Sequence, residues 1–162
     1  MRKKLNRLPK MSSIEIDELI EEEKICRIAF IGKEFPYIAP FQYVRIDGSL
    51  YVHFTNYGKK MRLIENNNKV CLTIEKFNED LSEFKFVTLQ GELSQVTENN
   101  ERADAIHALQ STGKKNLSSM FLAAHGFSPN DGWDVLSDEK PLKIYKLGKI
   151  SKIIGLRSPK KV

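Results

Sequence analysis

Residues 37–54 read YIAPFQYVRIDGSLYVHF, two alternating stretches joined by Asp47-Gly48. An Asp-Gly pair between alternating apolar runs is a strong β-hairpin signal, because both central residues of a tight hairpin turn need positive φ. The pattern repeats along the chain with little between the strands. Cys26 to Ile31 alternates, with Cys26, Ile28 and Phe30 on one side, and Gly32 follows. Val70, Leu72 and Ile74 alternate in a fourth strand, and Phe84 to Val96 forms a long fifth with Gly91 as a bulge or close-approach point. Leu142–Leu147 and Lys149–Leu156 are final strand candidates, parted near Gly148. Pro40 implies an edge or a bulge within its strand. A doubly wound parallel sheet needs a helix after nearly every strand, and these are absent. Five to seven strands with hairpin-like connections predict a mainly β protein, an antiparallel barrel with peripheral helices.

The helices are few. Ser12-Ser13-Ile14-Glu15 is a capping-box pattern that opens a helix over 13–23. A short helix is predicted over 58–66, with Met61 and Ile64 inward. A polar loop follows the fourth strand at 76–82. Thr97 is the expected cap of a helix through about Gln110, ended by Gly113. A second helix, Asn116 to His125, is stopped by Gly126, and a loop spans 127–141. The expected organisation is a basic tail at 1–10, one domain over 11–157 with a helical insertion at about 98–126, and a basic tail at 158–162.

The chain has 162 residues and a formal net charge of +5. Residues 1–10 carry five Lys/Arg and no acid, and residues 157–162 carry three more. Without those eight, 18 basic residues face 21 acidic ones, so the body is acidic and a nucleic-acid-binding surface is not expected. No apolar run is long enough to span a membrane, and no apolar stretch follows the basic start, so a cytoplasmic protein is the expectation. Cys26 and Cys71 each fall in a strand and read as reduced thiols.

No Gly-x-Gly-x-x-Gly, Walker loop, Gly-x-Ser-x-Gly or His-Glu-x-x-His occurs. His53, His107 and His125 have no ligand spacing, and no metal site is expected. One run does carry chemistry. A strand ending at Phe54 leads through Thr55-Asn56-Tyr57-Gly58 into Lys59-Lys60 at the start of a helix. Lys59 and Lys60 supply cations, Thr55 a hydroxyl, Gly58 room for close backbone approach, and the helix N-terminus free N–H groups. Together these suit a phosphate monoester. The residues alone equally allow a strand-to-helix turn with solvated lysines. Phe41, Tyr43, Tyr51 and Phe54 either wall a planar ring or pack in the core.

The stretch PYIAPFQYVRIDGSLYVHFTNYGKKMRLIENNNKVCLTIE resembles the flavin-binding split barrels of the pyridoxamine 5′-phosphate oxidase superfamily. His53, four residues, then Gly58-Lys59-Lys60, and the later Asn68-x-Val70-Cys71, are most similar to its nitroimidazole-resistance-like branch. The likeness covers about 13–96. It implies a six-stranded antiparallel split barrel of the FMN-binding type. It also implies a homodimer with FMN at the subunit interface, a small planar substrate, and NADH or NADPH as electron donor. Carried over by position, Lys59 and Lys60 hold the phosphate with Thr55, Gly58 and Phe54 beside them, and the backbone of Ala39, Pro40, Phe41 and Gln42 faces the flavin ring. His53 stands on the substrate side, or is a strand histidine. Trp133 closes the cleft from the partner chain, or anchors packing. Deazaflavin or haem in the same cleft, and a non-catalytic flavin-binding module, are the alternatives. Lys59 replaces the branch's usual Arg, and Asn68 its usual Pro. FKFVTLQG at 84–91 lacks the Gln-x-Arg pattern of the B6 oxidases, and the C-terminus lacks their Arg-x-His and Trp block. Vitamin B6 oxidation is therefore not implied.

Overall fold

In the computed structural model, which describes residues 5–160 apart from 138, 139 and 141, hairpin succession closes on itself. The expected tails fall outside the described residues at 1–4 and 161–162, as does Pro141 of the expected loop. The strands are β1 (Ile25–Phe30), β2 (Tyr37–Ile46), β3 (Ser49–Phe54), β4 (Lys69–Phe77), β5 (Phe84–Gln95) and β6 (Lys143–Arg157). They form a closed antiparallel barrel in the order β1-β2-β3-β6-β5-β4. The Asp47-Gly48 turn has φ of 49° and 80°, the positive pair that its residue types permit.

Among the described residues, three α-helices lie outside the barrel: α1 (Ser13–Glu22), α2 (Lys59–Asn66) and α3 (Asn99–Asn116). The capping box of α1 is complete, with the Glu15 backbone N–H donating to the Ser12 hydroxyl at 3.2 Å and the Ser12 backbone N–H donating to the Glu15 carboxylate at 2.8 Å. Between β5 and β6, α3 is followed by three 3-10 stretches, Ser119–His125, Pro129–Asp131 and Trp133–Val135.

The elements depart from expectation in five places. Glu98, not Thr97, caps α3, taking the N–H groups of Asn100 and Glu101. The helix then runs through Gly113 instead of ending there. A Cβ on Gly113 would sit 2.1 Å from Cε3 of Trp133, so this glycine makes room for a ring. The expected helix Asn116 to His125 is the shorter 3-10 stretch Ser119–His125, closed by Gly126 at φ 85°. The two final strand candidates are one strand of 15 residues. The break read near Gly148 is a bulge: the β5–β6 register shifts between Gln90 and Glu92, and Lys149 has φ 45°. Gly91 sits at that shift, where a Cβ would come 2.7 Å from the Gly148 carbonyl oxygen. The fourth strand also runs on to Phe77, into the stretch expected as loop.

The core has two parts. Ile28, Phe30, Phe54, Leu72 and Val87 fill the barrel. Val44, Tyr51, Leu109, Leu122, Trp133 and Ile144 fill a second layer, between the outer face of β2, β3 and β6 and the α3 insertion. β3 is thus buried on both faces, Leu50 to Phe54 without interruption. This is why His53, outward on an alternating strand, is nevertheless enclosed.

Candidate functional site

β3 ends at Phe54, and the chain turns through Gly58 at φ 98° into α2. That dihedral favours glycine, and nothing lies within 4 Å of where its Cβ would stand, so the turn is open. No side chain caps α2, which leaves its first N–H groups without a side-chain partner. Lys59 Nζ lies 5.4 Å from the Tyr37 ring and Lys60 Nζ 5.9 Å from the Phe41 ring, so both cations lean over the first half of β2. Among the described residues, neither forms an ion pair. Burial holds the half-buried Lys60 ammonium below its ordinary lysine range, as expected for a cation short of a counter-charge. The Thr55 hydroxyl is engaged in the turn, donating to the Tyr57 carbonyl at 3.2 Å.

The strand beneath the lysines is open on one side. β2 pairs with β1 from Tyr37 to Gln42, but its pairing with β3 begins only at Tyr43. The Tyr43 N–H donates to the Lys24 carbonyl at 3.0 Å, towards the β1 side. By the two-residue alternation of a strand, Pro40 and Gln42 turn their backbone groups the other way, to the open edge. Pro40 lacks an N–H and sits where no ladder bond is lost, the edge position that its presence implied. Ala39, Pro40, Phe41 and Gln42 therefore form a strand edge directly under two unpaired cations.

The four aromatics read as a possible wall are core residues instead. Phe54 is 0% exposed and packs on Phe41 and Tyr145, with ring centroids 4.9 and 4.8 Å away. Tyr43 and Tyr51 are buried, their hydroxyls donating to the Ile20 carbonyl and the Glu101 carboxylate. Phe54 and Phe41 support the site from below. Gln42 is buried too, its Nε2 donating to the Leu109 carbonyl of α3 at 2.9 Å. Trp133 packs within its own chain, against Gly113 and the His125 ring, as an anchor of the insertion.

Sequence spacing missed one partner. His53 and His125 are 72 residues apart, yet their Nδ1 atoms lie 3.1 Å from each other, with the rings stacked 17° from parallel. Both are buried. Nothing in the spacing announces this pair; the only signal is that His125 precedes Gly126, the residue that ends its 3-10 stretch. Gly126 in turn backs onto the Thr55–Lys60 turn, the cradle of the candidate site, where its Cβ would meet Thr55 Cγ2 at 3.2 Å.

Burial, helped by His125 and Lys60, takes the His53 imidazole down to about 3, and burial takes His125 down to about 4. Both values lie below the ordinary 6.5, so below that pH the unfolded chain binds more protons than the folded one. The stability these groups lend is complete above the ordinary value and is lost as pH falls towards the folded values. Acidification from about pH 7 to about pH 5 is expected to cost about 2 kcal/mol for each histidine. Urea unfolding at the two pH values checks this, and a His53→Gln, His125→Gln double variant should lose most of the difference.

A further groove lies elsewhere. It measures about 590 Å³ and runs over the outside of β1, β4 and β5, lined by Ala29, Ile31, Cys71, Gln90 and Lys149. Among the described residues, no group of three His, Cys, Asp or Glu side chains is placed to hold a metal ion, and no helix is long and apolar enough to cross a membrane.

The sequence model of the pyridoxamine 5′-phosphate oxidase family matches residues 12–120, which span α1, the barrel up to β5, the whole cradle and α3. The chain belongs to the pyridoxamine 5′-phosphate oxidase family. No curated protein sequence matches it. Solved structures carry the same fold. An FAD-binding protein from Mesorhizobium loti is 16% identical over 94% of this chain and 99% of its own, with a TM-score of 0.71. The heme storage protein HutZ from Vibrio cholerae is 16% identical over 90% of this chain and 94% of its own, at 0.64. A NimC/NimA family protein from Clostridium acetobutylicum is 18% identical over 91% and 85%, at 0.56. At such identities the likeness is one of fold, the split barrel.

Proposed function

We propose that this family member binds FMN and acts as a flavin-dependent reductase of a small planar substrate, with NADH or NADPH as electron donor. One observation carries the reading: two cations without carboxylate partners among the described residues, Lys59 and Lys60, converge with the uncapped start of α2 on the open edge of β2. That donor set fits a terminal phosphate monoester joined to a flat ring with a polar edge. Lys59, Lys60 and the first N–H groups of α2 would hold the phosphate. The backbone at Ala39–Gln42 would receive the polar edge of the ring. FMN suits the site better than FAD, since the sequence carries no dinucleotide fingerprint. When bound, the flavin supplies the electron transfer, and the protein contributes position, charge and exclusion of water.

The groove on β1, β4 and β5 supports the homodimer part of this reading. None of the described residues lining it belongs to a helix. Ile31, at its edge, is exposed, as is Ile153 on β6. A second copy seated there would cover this apolar face.

Turnover decides between enzyme and flavin store. Mixing the FMN-loaded protein with NADH or NADPH and a panel of nitro and quinone acceptors should give catalytic oxidation of the nucleotide. FMN binding without turnover on any acceptor would leave the storage reading. The heme storage relative supports a second reading, in which Lys59 and Lys60 pair with haem propionates, and a Soret band in the purified protein would favour it.

A further inference from the structure

The His53–His125 contact fixes more than packing. Two imidazole nitrogens 3.1 Å apart share one proton, so one ring donates and the other accepts. Which ring donates follows from their surroundings, because ring hydrogens are assigned from the hydrogen-bond network. Nε2 of His125 is sealed from solvent and makes no hydrogen bond to any described residue, and the buried Gln42 Oε1 makes none either. If His53 were the donor, His125 would carry its own proton on that sealed Nε2. An orphaned buried N–H is rarer and costlier than an under-used acceptor. The neighbouring Trp133 ring, 5.7 Å away edge to face, already has a sealed, unpartnered Nε1–H. A second sealed donor beside it would worsen the balance, whereas a bare Nε2 on His125 offers that side an acceptor. Nε2 of His53 is not sealed in this way. Its strand leads directly into the cradle turn, and the Lys60 charge acts on it.

We propose that His125 is a positioning residue for His53: its Nδ1–H donates to Nδ1 of His53 and locks His53 as the neutral Nε2–H tautomer, which presents a hydrogen-bond donor, rather than a base or a cation, to an electron-rich oxygen of a ligand beside Lys59 and Lys60. The tautomer stands on the pair alone; the ligand contact rests on the flavin reading above. A neutral donor suits a site that already holds two cations, since it adds polarity without repelling them. It also restricts what His53 can do, because a nitrogen that carries the proton cannot accept one.

Long-range proton–nitrogen NMR of the full-length protein, uniformly labelled with ¹⁵N, reads the tautomers near neutral pH. The expected result is Nε2–H on His53 and Nδ1–H on His125. His125→Gln, whose amide can still donate, should keep the His53 tautomer, and His125→Phe should let it revert to a mixture of the two. Finding Nδ1–H on His53 in the wild-type protein overturns the proposal, and that measurement needs no variant to fold. An unchanged His53 tautomer in folded His125→Phe overturns it as well. Adding FMN, with binding followed separately by flavin fluorescence, should move the His53 Nε2–H resonance. A resonance that stays still while FMN binds overturns the ligand contact. Failure of FMN to bind at all overturns that contact together with the flavin reading, and leaves the tautomer result to stand or fall alone.

Discussion

Replacing Lys59 and Lys60 together by alanine is expected to weaken FMN binding by about 2–4 kcal/mol, roughly 30- to 1000-fold, if each makes a charge-assisted bond to the phosphate. The two should not contribute equally. Lys60 is half-buried and desolvated without a counter-charge, while Lys59 is exposed and more strongly screened. Lys60→Ala is therefore expected to be the more damaging single change, and its effect the less sensitive to salt. Lys59→Arg should bind FMN as well as or better than the wild type, since a guanidinium can grip a phosphate with two bonds. Titration by quenching of flavin fluorescence checks all four proteins. Riboflavin supplies the control, because it lacks the phosphate and should bind the double variant and the wild type alike. An equal loss for riboflavin would mean that the lysines act on the ring or on the fold.

The second large effect is structural. Gly113 lies inside α3, where glycine ordinarily costs about 1 kcal/mol relative to alanine. Helix propensity alone therefore predicts that Gly113→Ala is stabilising. Contact geometry predicts the opposite. The new Cβ would lie 2.1 Å from Cε3 and 2.3 Å from Cδ2 of Trp133, inside a ring that has no flexible end to yield. Trp133 is buried, and its ring also meets His125 in a T-shaped contact. Displacing it opens the second core layer, so the overlap should outweigh the propensity gain and destabilise the protein by about 2–3 kcal/mol. Urea unfolding measures the net sign. Trp133 is the only tryptophan, so its emission reports the displacement directly, with a red shift in the folded variant. A more stable Gly113→Ala protein with unchanged emission would show that the insertion does not rest on this contact.

Local chemistry made much of this fold legible. Asp47-Gly48, the capping box at Ser12 and the alternation of Cys26, Ile28 and Phe30 each state their own structure, because turn, cap and period depend on residues close in sequence. Gly113 and Gly148 misled for the converse reason. Each looks like a stop signal locally, and each is explained by a distant neighbour: Trp133 over the first, the Gly91 bulge opposite the second. The site divides along the same line. The Thr55–Lys60 run is contiguous, so its glycine and cations could be read directly. The unpaired edge of β2 depends on where β3 stops pairing, and the His53–His125 contact joins residues from a strand and an insertion. Of the two readings open for the aromatics the packing one holds: Phe41, Tyr43 and Phe54 fill the barrel and Tyr51 the layer under α3, a division that alternation along one strand does not reveal.

The most direct test of a flavin in this cradle is the absorption spectrum of the protein as purified, followed by titration with FMN and chromatography of whatever chromophore it releases. The account predicts an isoalloxazine spectrum, or its appearance on adding FMN to an equimolar end-point, with FMN and not FAD released on denaturation. A colourless protein that takes up no FMN, or one whose only chromophore shows a Soret band, would contradict it.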